Sequence, residues 1–237
     1  LNCLFQSNKA ISYGGGAFVK NIKKVISKSS SFNNNWTEIY GAAMMYYLVE
    51  YIIHLNSKFV SNKSNSRGGA CYVKGSQLFI AINCTFMSNR GIRTGSLELK
   101  TVNKTNLISS IFSKNHGHYG GAFSIKEGKQ VSIINNSVIG NTGAFGGGIN
   151  TLNCELLQIV YSVFLKNKAT GCCGGVRTIS CLQIMCKYNM FSSNNGDTAG
   201  AVHHRDSKSV IYHRNKFMFN SAHTRGAISV MTGHIFF

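Results

Sequence analysis

The run Phe59-Val60-Ser61-Asn62-Lys63-Ser64-Asn65-Ser66-Arg67-Gly68-Gly69-Ala70 carries two signals: a Phe followed three residues later by Asn, and then a cluster of small residues. Phe112-Ser113-Lys114-Asn115-His116-Gly117-His118-Tyr119-Gly120-Gly121-Ala122 repeats both. Working outward, the Phe/Asn pair returns at Phe5/Asn8, Phe32/Asn35, Phe86/Asn89, Phe164/Asn167, Phe191/Asn194 and Phe217/Asn220, and once with Val138 in the Phe place, before Asn141. Successive first positions are 27, 27, 27, 26, 26, 26, 27 and 26 residues apart. A small-residue cluster such as Gly15-Gly16-Ala17, Gly146-Gly147-Gly148 or Gly226-Ala227 follows each, eight to ten residues on. Periodicity of this kind marks a repeat architecture.

The unit is a strand unit. Helical repeats need apolar residues at i, i+3, i+4 and i+7 over ten or more positions. Here short β-branched and aromatic runs (Leu78 to Ile82, Leu107 to Ile111, Val131 to Ile134, Val210 to Tyr212) are punctuated by Gly, Asn and Ser, which reads as strands of three to five residues joined by turns. Leucine-rich spacing is absent, and propeller blades need about 40 residues. The expectation is an all-β, single-stranded parallel β-helix of about nine coils, one repeat domain over residues 1–237. Its coils rise about 4.8 Å each. Right-handedness is expected from the usual chirality of parallel crossovers.

Stacking accounts for the residue choices. Inward Phe5, Phe32, Phe59, Phe86, Phe112, Phe164, Phe191 and Phe217 form an aromatic column, narrowed at Val138; burying each ring contributes about 1.5–3 kcal/mol. Asn at all nine +3 positions admits two accounts. One is an amide ladder running from coil to coil. The other is a left-handed bend, which Asn tolerates. The ladder is favoured, because Gly never substitutes. The Gly-rich cluster marks a place where a side chain would collide or φ must be positive. Absence of Pro suits a rod whose backbone N–H groups are used between coils.

The segments Gly69-Ala70-Cys71, Gly121-Ala122-Phe123 and Gly226-Ala227-Ile228 alternate with the Phe/Asn sites along the whole chain. This alternation resembles the repeats of the chlamydial polymorphic outer membrane proteins, surface autotransporters defined by Gly-Gly-Ala-Ile and Phe-x-x-Asn motifs. The resemblance implies a right-handed, pectin-lyase-like β-helix passenger region, secreted or displayed at the outer membrane and extracellular, often adhesive, with no catalytic or cofactor residues to carry over. The sequence starts at Leu1 without an initiator Met or signal peptide and contains no barrel segment, so it reads as a piece of a longer surface protein whose secretion route is open. Flanking repeats of the same chain are then expected to cover its end coils.

Hydrophobic residues make up 43 % and charged residues 14 %, which excludes a disordered tail. No apolar run reaches the roughly 20 residues of a membrane-spanning helix. Enzymes also use this architecture, and glycoside hydrolysis needs two carboxylates about 5–9.5 Å apart. The seven acids are Glu38, Glu50, Glu98, Glu127, Glu155, Asp197 and Asp206. Glu127 and Asp206 share a register three coils apart, about 14 Å by the stacking distance. No pair converges, so no catalysis and no cofactor are expected. His116 and His118, and His203 and His204, lack the convergent partners of a zinc site and read as exposed loop histidines. Cys154 and Cys181 each lie ten residues before the next Phe. They stack in adjacent coils within disulfide range, or serve as small core residues. Cys3 and Cys84 share the −2 position with Ser and Asn, a small-residue slot.

The net charge is +18, from 25 Lys plus Arg against 7 Asp plus Glu. It reads as a solvated, self-repelling coat or as a surface for anionic glycans or other host or cell-surface molecules. No nucleic-acid module is visible, and nucleic acid is not an expected partner. Five sequons occur, at Asn35, Asn62, Asn83, Asn103 and Asn135. The two in the ladder are sterically blocked, and Asn103 is the expected acceptor if a eukaryote secretes the chain. The functional expectation is a non-catalytic scaffold that presents its turns for adhesion. The competing class is a carbohydrate-active or carbohydrate-binding relative, which exposed aromatics or aligned acids along one groove would favour.

Overall fold

In the computed structural model, which describes residues 1–237, no helix is present and the chain pairs with itself in parallel once per repeat. Phe5 pairs with Phe32, then Phe59, Phe86, Phe112, Val138, Phe164, Phe191 and Phe217 follow in one unbroken register. The protein is a parallel β-helix of nine coils, here counted from Phe5. Coil 2 shows the plan: a Phe strand (Ser31–Asn33), a short strand (Trp36–Thr37), a loop, a third strand (Met44–Tyr47) and a fourth (Tyr51–Leu55). In coils 3 and 4 the third and fourth strands run together as Cys71–Ile82 and Leu97–Ile108.

Three left-handed corners bend every coil. Non-glycine residues adopt φ of 48–66° at the positions of Ser29, Asn34 and Leu48 and at their equivalents along the stack. The residue at the corner beyond the Phe strand is Ser, Asn, Lys, Phe or, at Gly140, glycine. The bend therefore lies one residue before the repeated Asn, and the Asn itself has a different task. The run Leu107 to Ile111 is broken the same way: Ser109 is a corner at φ 48°, and Ile111 opens the next strand.

That task is the ladder. Asn8 Nδ2 donates to Asn35 Oδ1 at 3.0 Å, and the same contact runs through Asn62, Asn89, Asn115, Asn141, Asn167, Asn194 and Asn220 at 2.9–3.1 Å. Each Oδ1 also accepts the backbone N–H of the Asn one coil before, as in Asn115 N to Asn141 Oδ1 at 2.9 Å. From Asn35 onward, each Nδ2 donates its second proton to the carbonyl of a Phe-column residue, as in Asn141 to Phe112 at 2.9 Å. The amide's donors and acceptor are all used, which is why a side chain this polar tolerates complete burial. A second ladder occupies the −2 slot: Ser110, Asn136, Ser162, Asn189 and Asn215 accept the backbone N–H one coil before at 2.8–3.1 Å. Ser, Cys and Asn share this slot because each brings a short acceptor.

The interior is the aromatic column. Phe5 to Phe112 stack at 4.7–4.8 Å within 8° of parallel, and Phe164 to Phe217 at 4.7–4.9 Å. Val138 divides them. The glycines are set mainly by close backbone approach. A Cβ on Gly69 would lie 1.9 Å from the Gly95 carbonyl oxygen, and one on Gly121 would lie 2.1 Å from that of Gly147. Positive φ applies only to Gly14, Gly41 and Gly68 within these clusters.

Candidate functional site

The loop between the short strand and the third strand forms a ridge along the rod, and the outward residues of the third strand form the floor beside it. The alternation of a strand sends every second side chain outward. One outward column reads Phe18, Met45, Tyr72, Glu98, Ser124, Asn150, Arg177, His203 and Ser229. Two residues on, the far wall reads Lys20, Tyr47, Lys74, Lys100, Lys126, Leu152, Ile179 and Arg205, in the same register. Floor, wall and ridge enclose a groove with a central cavity of about 310 Å³, lined among others by Arg67, Arg93, Lys100, Tyr119, Lys126 and Arg177. A second cavity of about 350 Å³ lies over coils 1–3, lined by Tyr13, Tyr40, Tyr47 and Tyr72 with Lys20 and Lys74.

Lys74, Lys100 and Lys126 occupy three consecutive coils in one register. Like charges stacked in one register repel one another. Only Lys126 has an acidic partner, Glu127 at 3.5 Å. Lys74 and Lys20 instead flank the Tyr47 ring at 5.3 and 5.6 Å. Arg93, Tyr119 and Phe145 of the ridge form one pile with Arg177 of the floor. Arg93 Cζ sits 4.8 Å over the Tyr119 ring, Tyr119 stacks on Phe145 at 5.4 Å, and Arg177 Cζ lies 4.9 Å from Phe145. Both faces of each ring are covered by this arrangement. Arg177 Nη1 donates to Asn150 Oδ1 at 3.0 Å, and Asn150 Nδ2 donates to Ser124 Oγ at 3.2 Å.

Glu98 is the one acid on the floor. Its Oε1 pairs with Arg67 Nη1 at 3.4 Å and its Oε2 accepts Thr94 Oγ1–H at 3.0 Å. Burial pushes its carboxyl pKa up, against the pull of Arg67, Thr94, Arg93 and Lys100. Burial also pushes the Tyr72 hydroxyl up to about 12, with Glu98 adding to it. Further along, burial and then Arg177, Arg225 and Arg205 lower His203 to about 4, so this histidine is neutral in a strongly positive field. The other six acids are exposed; Glu127 and Asp206 are corner residues three coils apart.

Cys154 and Cys181 are buried neighbours with free thiols, as all eight cysteines are, so of the two alternatives they serve here as small core residues. The neighbouring Cys181 thiol, with burial, pushes the Cys154 thiol pKa up. Both sulfurs also turn to carbonyls two residues back, Leu152 and Ile179, at 3.8 and 3.6 Å, the same local acceptor that a Ser uses at such a corner. Cys172 and Cys173 pack beneath the ridge with Ala199 and Phe145. His203 and His204 are not loop residues: both are buried strand residues, and His204 Nε2 meets the core Tyr212 hydroxyl at 2.6 Å. Asn103 lies half-buried inside the strand Leu97–Ile108, hydrogen-bonded to Gln77, whereas Asn83 and Asn135 are the exposed sequon residues, each at a corner.

Spread over most coils in the sequence, the cations gather along one groove in the fold. One signal was available: Lys74, Lys100 and Lys126 fall 15, 14 and 14 residues after their Phe. No family model matches the chain, and comparison with curated proteins and with solved structures finds no match.

Proposed function

We propose that the chain is a non-catalytic scaffold of a secreted or cell-surface protein, an adhesin-type passenger segment related to the polymorphic outer membrane protein repeats and the pectin-lyase-like β-helices, which holds acidic molecules of an opposing surface along its basic groove. The observation that carries this reading is the lengthwise face on which Lys74, Arg93, Lys100, Lys126 and Arg177 gather around a single acid. A stiff stack of coils presents such a face without the entropy loss of ordering a flexible loop.

A competing reading, a carbohydrate-active enzyme, draws on Glu98, because a carboxyl whose pKa burial pushes up is what a general acid requires. Against it, Glu98 is committed to Arg67 and Thr94, and the second carboxylate that hydrolysis needs is missing from the floor. The test incubates the chain with acidic and neutral polysaccharides and follows new reducing and unsaturated ends alongside retention on the immobilised polymers. Retention of acidic polymers without shortening is expected; reproducible shortening, lost in Glu98→Gln, would overturn the proposal.

A further inference from the structure

We propose that the short-strand flank of the ridge carries a binding site for a phosphomonoester, with the phosphate seated between His116 and Thr142. The ridge separates this flank from the third-strand groove, so the site goes beyond the reading above and does not depend on it.

The site is a trough over coils 4–7, a cavity of about 560 Å³ floored by the backbone of Gly91, Gly117 and Gly143. One wall is a single column, Arg90, His116, Thr142 and Lys168, in register across four coils. At the coil spacing this column spans about 14 Å. Its order matters: the long cationic side chains stand at the two ends and the short ones in the middle. Arg90 and Lys168 thus reach a central anion from both sides, while an imidazole and a hydroxyl meet it directly. The central groups are held in place. His116 Nδ1 meets Thr142 Oγ1 at 2.7 Å, which leaves Nε2 as the free ring nitrogen. Across the floor, His118 sits edge-on to Tyr119 and Phe145, each at 5.0 Å and 84°.

Neither Arg90 nor Lys168 is ion-paired. Acids flank the trough without entering it: Glu38 lies in coil 2, and Asp197 in coil 8 shares an adjoining cavity with Lys168. Phosphate suits this set better than sulfate or carboxylate. A phosphomonoester at neutral pH carries close to two negative charges and three acceptor oxygens. Guanidinium, ammonium and imidazole supply charge-assisted donors to it from different directions. In the empty site, burial and then Arg90 hold the His116 pKa below its ordinary value. The groups around His116 are Arg90 with Lys63 before it in the column, Lys168 beyond Thr142, and His118 across the floor. A bound dianion reverses the sign of that field, so His116 takes up a proton as the ligand enters. Ile92, 65 % exposed and lining the same trough, offers apolar surface to the organic part of an ester, which free phosphate lacks.

The whole chain is titrated with phenyl phosphate, inorganic phosphate and phenyl sulfate at about pH 7.5 and low salt, where phosphate is dianionic and screening is weak. Calorimetry in two buffers of different ionisation enthalpy reads the proton uptake, and ring-proton NMR shifts of the histidines read the location. Phenyl phosphate is expected to bind about fivefold or more tighter than either other probe, with net proton uptake. The His116 and His118 rings shift while those of the other histidines do not. Arg90→Gln/Lys168→Gln should weaken binding roughly tenfold or more, against under about twofold for the charge-matched Lys24→Gln/Lys28→Gln on the fourth strand of coil 1. His116→Gln should abolish the proton uptake. The shifts are read on the parent chain, so they locate the ligand even if a variant fails to fold. Absence of binding, equal affinity for inorganic phosphate or phenyl sulfate, equal losses in the two double variants, or shifts centred on histidines elsewhere would overturn the site. None of these results bears on the third-strand groove.

Discussion

Asn141 makes four side-chain hydrogen bonds: Oδ1 accepts the Asn115 backbone N–H at 2.9 Å and Asn115 Nδ2 at 3.0 Å, while Nδ2 donates to Asn167 Oδ1 at 3.0 Å and to the Phe112 carbonyl at 2.9 Å. Asn141→Ala orphans groups that water does not reach, each worth about 1–3 kcal/mol. We expect a loss of roughly 2–5 kcal/mol, read as a lower urea midpoint at unchanged slope. The corner one residue earlier obeys a different rule. Lys114 is exposed and held at φ 54°, a conformation that costs a non-glycine residue about 1–2 kcal/mol. Lys114→Gly should therefore raise stability by about 0.5–1 kcal/mol. Gly140→Ala, at the equivalent corner with φ 61° and open space around a Cβ, should lower it by a similar amount in the same assay.

At the scale of the element, strands of two to five residues would not survive alone; each persists because coils above and below complete its hydrogen bonds. At the glycine turn between the loop and the third strand, neighbouring coils approach too closely for a Cβ. Gly121→Ala would push a Cβ to 2.1 Å from the Gly147 carbonyl oxygen, whereas Gly226→Ala meets nothing within 4 Å. The first should cost more than about 3 kcal/mol, the second under about 1 kcal/mol, a contrast that thermal unfolding of the two variants resolves. Phe column, Asn ladder and glycine turn were legible in the sequence because each demands a fixed residue at a fixed phase of the repeat. The corner residues were not. Leu48, Thr101, Lys166 and Phe219 all adopt positive φ, imposed on them by the stack against their own preference.

For the whole molecule, acid is the informative perturbation. Burial lowers His54 and His204 to about 3, from a free value near 6.5. Above about pH 6.5 both are neutral in the folded and unfolded chains and contribute nothing. As pH falls below that value the unfolded chain takes up protons that the folded one refuses, so stability declines between about 6.5 and 3. At pH 5 each histidine costs about 2 kcal/mol. Glu98 works the other way over part of this range, since its raised pKa favours the folded state as it protonates. The expected net result is a urea midpoint clearly lower at pH 5 than at pH 7. The double variant Tyr46→Phe/His54→Leu, which removes a buried pair joined at 3.1 Å, should flatten the decline.

The nine-coil stack, its aromatic interior and its amide ladder were determined by the sequence alone, because stacking converts a repeat of 26 or 27 residues directly into vertical neighbours. Periodicity says nothing about which side chains of different phase meet sideways within a coil. The meeting of the loop cations and rings with the third-strand lysines, the opposed facing of His203 and His204, and the burial of Glu98 were decided only by the tertiary structure. They depend on how the loop folds back onto the strand, a lateral packing problem set by volume and backbone direction.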